Sequence, residues 1–282
     1  MGATGEPLPE GFARATASGS VFVYDASLGD ELASLGFLGD GGFAALLAGE
    51  AGASGRGNTR HRALPDAGLT LVVRPVLHGG LFGGLFRAAL HSPARAFDEL
   101  RTTAALRAAG AAVPRPALAA ARRSGPVWNA LVATVREEAA PDIVEFFAGN
   151  PSQDRIVRAA EAVARAIRGF HDAGGSHPDL HVKNVLLRES EGSCEAIVVD
   201  LDGARIGAPP DAARRMHELA RLYRSSLKRG LTPRVDLEAN RALLRSYVAG
   251  DEALGAALAR HWPRERRRVA VHALGYRKRT GL

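Results

Sequence analysis

Asp179, Asn184 and Asp200 are the side chains of this sequence whose types and spacing suit phosphoryl transfer to an alcohol. That reaction needs a carboxylate to accept or orient the proton of the attacking hydroxyl. It also needs a neutral oxygen and a second carboxylate to hold Mg²⁺ on the ATP phosphates. Asp179 and Asn184 stand five residues apart on one polar loop, and Asp200 closes the apolar run Ala196–Val199 sixteen residues beyond Asn184. His177, two positions before Asp179, reads as a scaffold that fixes the loop rather than as a catalyst, because a histidine beside an aspartate is more often structural. A lone His-x-Asp is a weak signal. Here it belongs to an ordered series: an apolar helix, Phe170-His171-x-x-Gly174, then His177-x-Asp179-Leu180-x-x-x-Asn184, Val185-Leu186-Leu187, and a β-like run ending in Asp200. No zinc set competes, since His177 and His181 lie four apart in a loop containing Pro178, not on a helix face.

The elements that must position these groups follow from periodicity. Ile156, Ala160, Val163, Ile167 and Phe170 step by four and three, the stripe of an amphipathic helix closed by Gly174-Gly175. Val185–Leu187 and Ala196–Val199 read as short strands around the polar turn Arg188–Ser193. Upstream, Val21–Tyr24, Leu69–Arg74 and Leu131–Arg136 read as strands. A helix is expected from about Pro93 to Ala109, ending at Gly110, and Val113-Pro114-Arg115-Pro116 as an extended break. Residues 39–57 carry seven glycines and read as a flexible linker. Beyond Asp211 the pattern is helical, with breaks expected near Gly230–Pro233, Gly250 and Pro263. The expected class is α+β. A loose N-terminus over residues 1–18 precedes a small mixed lobe with an antiparallel sheet over 19–138, and a larger helical lobe over 139–282.

Composition excludes several alternatives. The chain has 37 Lys+Arg against 30 Asp+Glu, a net +7, and its only lysines are Lys183, Lys228 and Lys278. None follows a glycine, which excludes a P-loop. One cysteine, Cys194, excludes a disulfide framework and any CxxC metal site, and points to a reducing compartment. No run of 18 apolar residues exists to span a membrane. Met1–Glu10 lacks the basic start and apolar core of a secretory signal, so a cytoplasmic location is expected. Arg260–Arg279 holds eight basic residues and one acid, Glu265. That stretch reads either as a solvated helix face or as a segment drawn to an anionic surface. Four Tyr and two Trp, not interleaved with the basic residues, argue against base stacking, and no nucleic-acid partner is expected.

His177-x-Asp179-Leu180-x-x-x-Asn184 resembles the catalytic loop of the protein-kinase-like fold, and Asp200-Leu201-Asp202 resembles the D-x-D form of its metal motif. The resemblance implies a two-lobed fold with ATP and Mg²⁺ in the cleft. Asp179 would be the catalytic carboxylate and Asn184 and Asp200 the metal ligands, with Asp202 adding a metal contact or bracing the loop. It also implies three parts upstream. Gly55-Arg56-Gly57-Asn58 would serve as the phosphate cover, although a linker reads equally well. No lysine precedes Lys183, so Arg74 would contact the phosphates, with Glu99 as its helix partner 25 residues on. The alternative there is an ordinary surface pair.

Further stretches resemble the bacterial 3-deoxy-D-manno-octulosonic acid (Kdo) kinases of the lipopolysaccharide-core kinase family. They are Gly55-Arg56-Gly57, Val73-Arg74 before Gly79-Gly80, Arg95–Arg101 through Pro116, and Leu219-Ala220-Arg221-Leu222-Tyr223-Arg224-Ser225-Ser226-Leu227-Lys228. The resemblance covers roughly residues 53–230. His181 stands where that family often has Asn, and Leu201 where an aromatic is usual. The acceptor implied is Kdo linked to lipid A, which would bring the basic C-terminus to the cytoplasmic face of the inner membrane. The alternatives are another small-molecule phosphotransferase of this fold, of aminoglycoside or choline type, and a pseudokinase that docks on membranes.

Overall fold

The computed structural model describes residues 7–51, 59–77, 90–235 and 237–280, the last eight as backbone alone. Packing divides the chain into two units, residues 1–105 with 114–137 and residues 106–113 with 138–282.

The first unit is built on a seven-stranded antiparallel sheet. Its strands are β1 (Phe12–Ala17), β2 (Ser20–Asp25), β3 (Glu50–Ala51), β4 (Arg60–Leu64), β5 (Leu69–Pro75), β6 (Pro116–Ser124) and β7 (Val127–Val135). Their order in space is β1-β2-β6-β7-β5-β4-β3. β1 corrects, for residues 12–17, the loose N-terminus expected over 1–18. Ser18 and Gly19 both take positive φ, 44° and 74°, the geometry of a two-residue type I′ hairpin, and Ala17 pairs with Ser20. The turn, rather than any apolar run, makes this strand.

β6 was not expected either. Its alanines favour helix in isolation, yet Ala117, Ala119, Ala120 and Ala121 are fully buried between β2 and β7. Leu118 and Ala120 join Leu71 and Leu131 on one face of the sheet. Ala119 and Ala121 join Phe97 and Leu100 of α3 (Ala94–Ala108) on the other, a helix that follows the short α1 (Gly29–Ser34) and α2 (Gly42–Leu47). Within the expected linker, Gly42–Leu47 forms a short helix that buries Phe43 and Leu46, while residues 52–58 lie outside the described residues.

The second unit is mostly helical, with α4 (Ile143–Ala148), α5 (Gln153–Asp172), α6 (Ala212–Lys228), α7 (Leu237–Val248) and α8 (Glu252–Thr280). Asp142 and Glu145 close the start of α4 as a capping box. The α5 stripe is buried at Ile156, Val163, Ile167 and Phe170. Between α5 and α6 runs the hairpin β9 (Val185–Ser190) and β10 (Ser193–Val198). The break expected at Pro263 does not occur, and α8 runs through it. Proline removes one backbone donor, but Leu258 before it and Glu265 and Val269 after it are buried, so packing on both sides carries the helix across.

Candidate active site

In the second unit α5 delivers the chain to the loop that the sequence singled out. Gly174 takes φ 84°, and a Cβ there would overlap the Gly207 carbonyl; one on Gly175 would overlap Phe170. Glycine at both positions lets the short strand β8 (Gly175–Ser176) pair with β11 (Arg205–Ile206). The segment before His177 is thereby fastened to the segment just after Asp202.

His177 links the two motifs again. Its ring is buried; Nε2 donates to the Val199 carbonyl at 3.3 Å, and Nδ1 accepts the Asp179 N–H at 3.1 Å. A neutral ring satisfies both bonds, and burial lowers its pKa in the same sense. Asn184 is buried and gives its Nδ2 to the Asp179 main-chain carbonyl at 3.1 Å. Its own main-chain carbonyl accepts the Val199 N–H at 2.9 Å. Asp200 follows directly, exposed, with φ 61°, a left-handed conformation that aspartate tolerates better than most residues. Leu201 is buried in the core and Asp202 is half-buried. Asn184 is thus tied through its side chain to the main chain of Asp179 and through its main chain to Val199, the residue before Asp200.

The Asp179 side chain projects from this frame and is 56% exposed. Its Oδ1 accepts both Nε (3.0 Å) and Nη2 (2.7 Å) of Arg221, and its Oδ2 lies 3.7 Å from His181 Nε2. Burial pushes this carboxyl up, but the Arg221 bonds and the charges of His181 and Arg221 hold it below the usual carboxylate range. His181 caps the 3-10 turn Val182–Asn184 by accepting the Lys183 N–H.

Two residues on α6 were missed. Glu218 is fully buried; its Oε2 accepts the His177 N–H at 2.9 Å and the His171 Nε2–H at 3.2 Å, and its Oε1 accepts Arg214 Nε at 2.6 Å. Burial raises its carboxyl, yet the His171 and His177 hydrogen bonds leave it below the ordinary value. The Tyr247 hydroxyl lies 2.6 Å from His171 Nδ1 and, being buried, is pushed up to about 12. Arg221 is the second. The signal available for Glu218 was a carboxylate on a helix face between Met216 and Leu222, both buried.

In the first unit, Arg74 at the end of β5 places Nη2 at 2.6 and 2.7 Å from the two oxygens of Glu99 on α3. Glu99 is buried and Arg74 is partly exposed. Gly55 and Gly57, like Gly79-Gly80, lie outside the described residues.

These groups can hold an exposed carboxylate against an alcohol and offer the amide oxygen of Asn184 and the carboxylate of Asp200 to a hard cation. Among the described residues no three His, Cys, Asp or Glu gather to ligate a metal unaided. The donor set therefore fits Mg²⁺ completed by phosphate oxygens better than a closed protein cage.

The model of the lipopolysaccharide kinase (Kdo/WaaP) family matches residues 50–247. The chain is similar to the 3-deoxy-D-manno-octulosonic acid kinase of Vibrio cholerae, 30% identical over 53% of this chain and 62% of that one. The enzyme of that name from Photobacterium profundum is 29% identical over 62% and 72% of the two chains, and that from Xylella fastidiosa 34% identical over 48% and 51%. The chain thus spans about three fifths of the length of the Vibrio cholerae relative. A solved structure, WaaP in complex with acyl carrier protein, superposes with a TM-score of 0.50 over 78% of this chain and 90% of that one, at 23% identity. It shares the protein-kinase-like fold.

Proposed function

The chain belongs to the lipopolysaccharide kinase (Kdo/WaaP) family, and from that premise we propose that it phosphorylates a sugar hydroxyl of the lipopolysaccharide inner core, with Kdo linked to lipid A as the acceptor. The observation that carries this reading is the exposed carboxylate of Asp179 on a loop whose main chain is bonded to Asn184 and, through Val199, to Asp200. ATP with Mg²⁺ supplies the phosphoryl group and the cation that neutralises its charge. Asp179 orients the acceptor hydroxyl and takes its proton. Asn184 and Asp200 hold the cation, and His177, neutral and buried, keeps their loop in register. Arg74, fixed by Glu99, contacts the nucleotide phosphates. The test is incubation with labelled ATP and a panel of Kdo–lipid A, an aminoglycoside and a protein acceptor. Label on Kdo–lipid A supports the reading. Label on the aminoglycoside alone makes the chain a phosphotransferase of another class, and label on none makes it a binding module.

Arg74→Ala should lose most of the activity and raise the KM for ATP, whereas Arg74→Lys should retain part of both. Lysine keeps the cation on Glu99 but not the guanidinium geometry. Initial rates over a range of ATP concentrations decide this. Unchanged KM and kcat in the alanine variant would leave Arg74 an ordinary strand-end residue.

The lipid-held character of the acceptor has two supports in the second unit. Side chains of α4 to α8, among them Phe146, Leu222, Leu243, Leu258 and Trp262, line a cavity of about 670 Å³, with Leu237 and Leu244 exposed at its edge. The same α8 carries exposed Arg264, Arg266 and Arg267. Arg268 differs, since it pairs with buried Glu265 at 2.6 Å. No helix among the described residues is long and apolar enough to cross a membrane, so attraction to the inner-membrane surface would be peripheral. Each cation near an anionic surface contributes about 1 kcal/mol at low salt. Replacing Arg264, Arg266 and Arg267 by serine should therefore raise the KM for vesicle-presented acceptor at least tenfold, with less effect on a delipidated acceptor and none on the KM for ATP. Equal KM values at low salt would reduce this face to a solvated surface.

A further inference from the structure

One face of α6 addresses the loop at three points. Glu218 accepts the His177 N–H at 2.9 Å, and Ser225 Oγ accepts the Val182 N–H at 3.0 Å. Between them Arg221 reaches past the main chain to the Asp179 side chain. The outer two bonds hold the backbone, the first buried and the second partly so. The middle one is open, with Arg221 34% and Asp179 56% exposed. It also has an uneconomical geometry for a purely structural pair, because both guanidinium donors converge on one oxygen instead of matching two. A guanidinium edge matches both oxygens of a carboxylate, or two of a phosphate, and among the described residues Nη1 of Arg221 makes no further bond. The carboxylates of Asp179 and Asp200 and the guanidinium of Arg229 all act on His181 beside this pair, so the cation offered to an anionic visitor here is Arg221 itself.

We propose that Arg221 is the anchor for the acceptor's anionic group, holding Asp179 Oδ1 in the resting enzyme and passing to the acceptor's carboxylate or phosphate when it binds. The exchange frees the lone pairs of Oδ1, both of which Arg221 occupies at rest, for the acceptor hydroxyl. Exposed ion pairs contribute only about 0–1 kcal/mol, so a well-matched anion can displace Asp179 at little cost. In the step that follows, the hydroxyl oxygen bonds to the γ-phosphorus as the bond to the ADP oxygen breaks. ADP leaves with the electron pair and the hydroxyl proton passes to Asp179. An alcohol without an anion, or water, meets a carboxylate still pinned. Arg221 thereby selects anionic acceptors and restrains idle ATP hydrolysis. The inference rests on the reading of the chain as a kinase of an anionic sugar and names the residue that recognises the charge.

The test compares wild type, Arg221→Gln and Arg221→Lys on Kdo–lipid A and on its Kdo methyl ester, which removes the carboxylate charge. Wild-type activity on Kdo–lipid A tests the functional reading alone. For the anchor, Arg221→Gln should raise the KM for the free carboxylate 10- to 100-fold, leave that for the ester nearly unchanged, and raise acceptor-independent ATP hydrolysis severalfold. Arg221→Lys should fall between. Titration calorimetry with free Kdo supplies a readout independent of turnover, and affinity should fall by the same factor in Arg221→Gln. If that variant instead lowers kcat equally on both acceptors, with KM and Kdo affinity unchanged, Arg221 is a clamp on Asp179 and the proposal fails.

Discussion

Replacing Asp179 by alanine should lower phosphoryl transfer by about 10²–10⁴-fold, the usual range for removing a proton-accepting group, while leaving the affinity for ATP·Mg²⁺ within a factor of a few. The bonds that shape the loop use the Asp179 main chain and not its carboxylate. Asn184 Nδ2 bonds to the carbonyl, and His177 Nδ1 accepts the N–H. The carboxylate itself is more than half exposed and bonded to Arg221. Alanine therefore removes the group facing the acceptor and leaves Asn184 in place. It leaves Arg221 without its resting counter-ion, but that residue is partly exposed and water can solvate it. The variant should thus fold with a thermal midpoint close to wild type, which makes the rate interpretable. Single-turnover measurements with saturating ATP and Kdo–lipid A give the rate, and equilibrium titration gives the nucleotide affinity. A variant retaining more than about a tenth of the rate would remove Asp179 from the reacting centre. A variant with both rate and nucleotide affinity lost would mean that the carboxylate serves the metal instead.

The loop was legible in the sequence because its chemistry requires particular side chains at fixed local spacings. Asp179, Asn184 and Asp200 lie within 22 residues, flanked by a helix stripe and two short β-runs whose periods are plain. In the structure Asn184 bonds to Asp179 and to Val199, which precedes Asp200, and Arg74 pairs with Glu99 across 25 residues. What escaped is held by partners distant in sequence. β6 is a strand because β2 and β7 flank it, and its alanines favour the opposite state. β1 depends on two positive-φ residues in a segment with little apolar pattern. Arg221 acts on a residue 42 positions earlier; the Leu219–Lys228 stretch marked its helix, but nothing local distinguished this arginine from Arg224 beside it. Pro263 suggested a helix end because local stereochemistry favours one, but burial on both sides outweighed it.

Glu218→Gln should destabilise the second unit by about 3 kcal/mol at pH 7, the scale for breaking a buried charged hydrogen-bond network. The carboxylate is fully buried and serves three donors: the His177 N–H, the His171 ring and Arg214. The amide retains one acceptor oxygen, which can satisfy the His177 N–H. Its NH₂ then stands in place of Oε1 and faces Arg214, setting donor against donor. His171 is further tied to the Tyr247 hydroxyl, so the disturbance extends from the loop to α7. The pH dependence separates loss of charge from loss of shape. Glu218 has a folded pKa below its ordinary value of 4.5, so the unfolded chain binds the proton more readily. Its contribution is therefore complete above about pH 4.5 and is lost as pH falls through the folded value. The gap in stability between wild type and Glu218→Gln should be widest near neutrality and narrow on acidification below pH 4.5. Urea unfolding followed at pH 7 and at pH 4 measures both gaps. A constant gap would show that packing, and not the charge, is what the amide disturbs. The kinetic consequence is equally specific, because His177 sets the register of Asp179. At a temperature where the variant is folded, kcat should fall at least tenfold while the KM for ATP changes little, since the bonds from the Asn184 side chain to Asp179 and from Val199 to the Asn184 main chain do not involve Glu218. Wild-type kcat in a stably folded Glu218→Gln protein would confine Glu218 to holding the core.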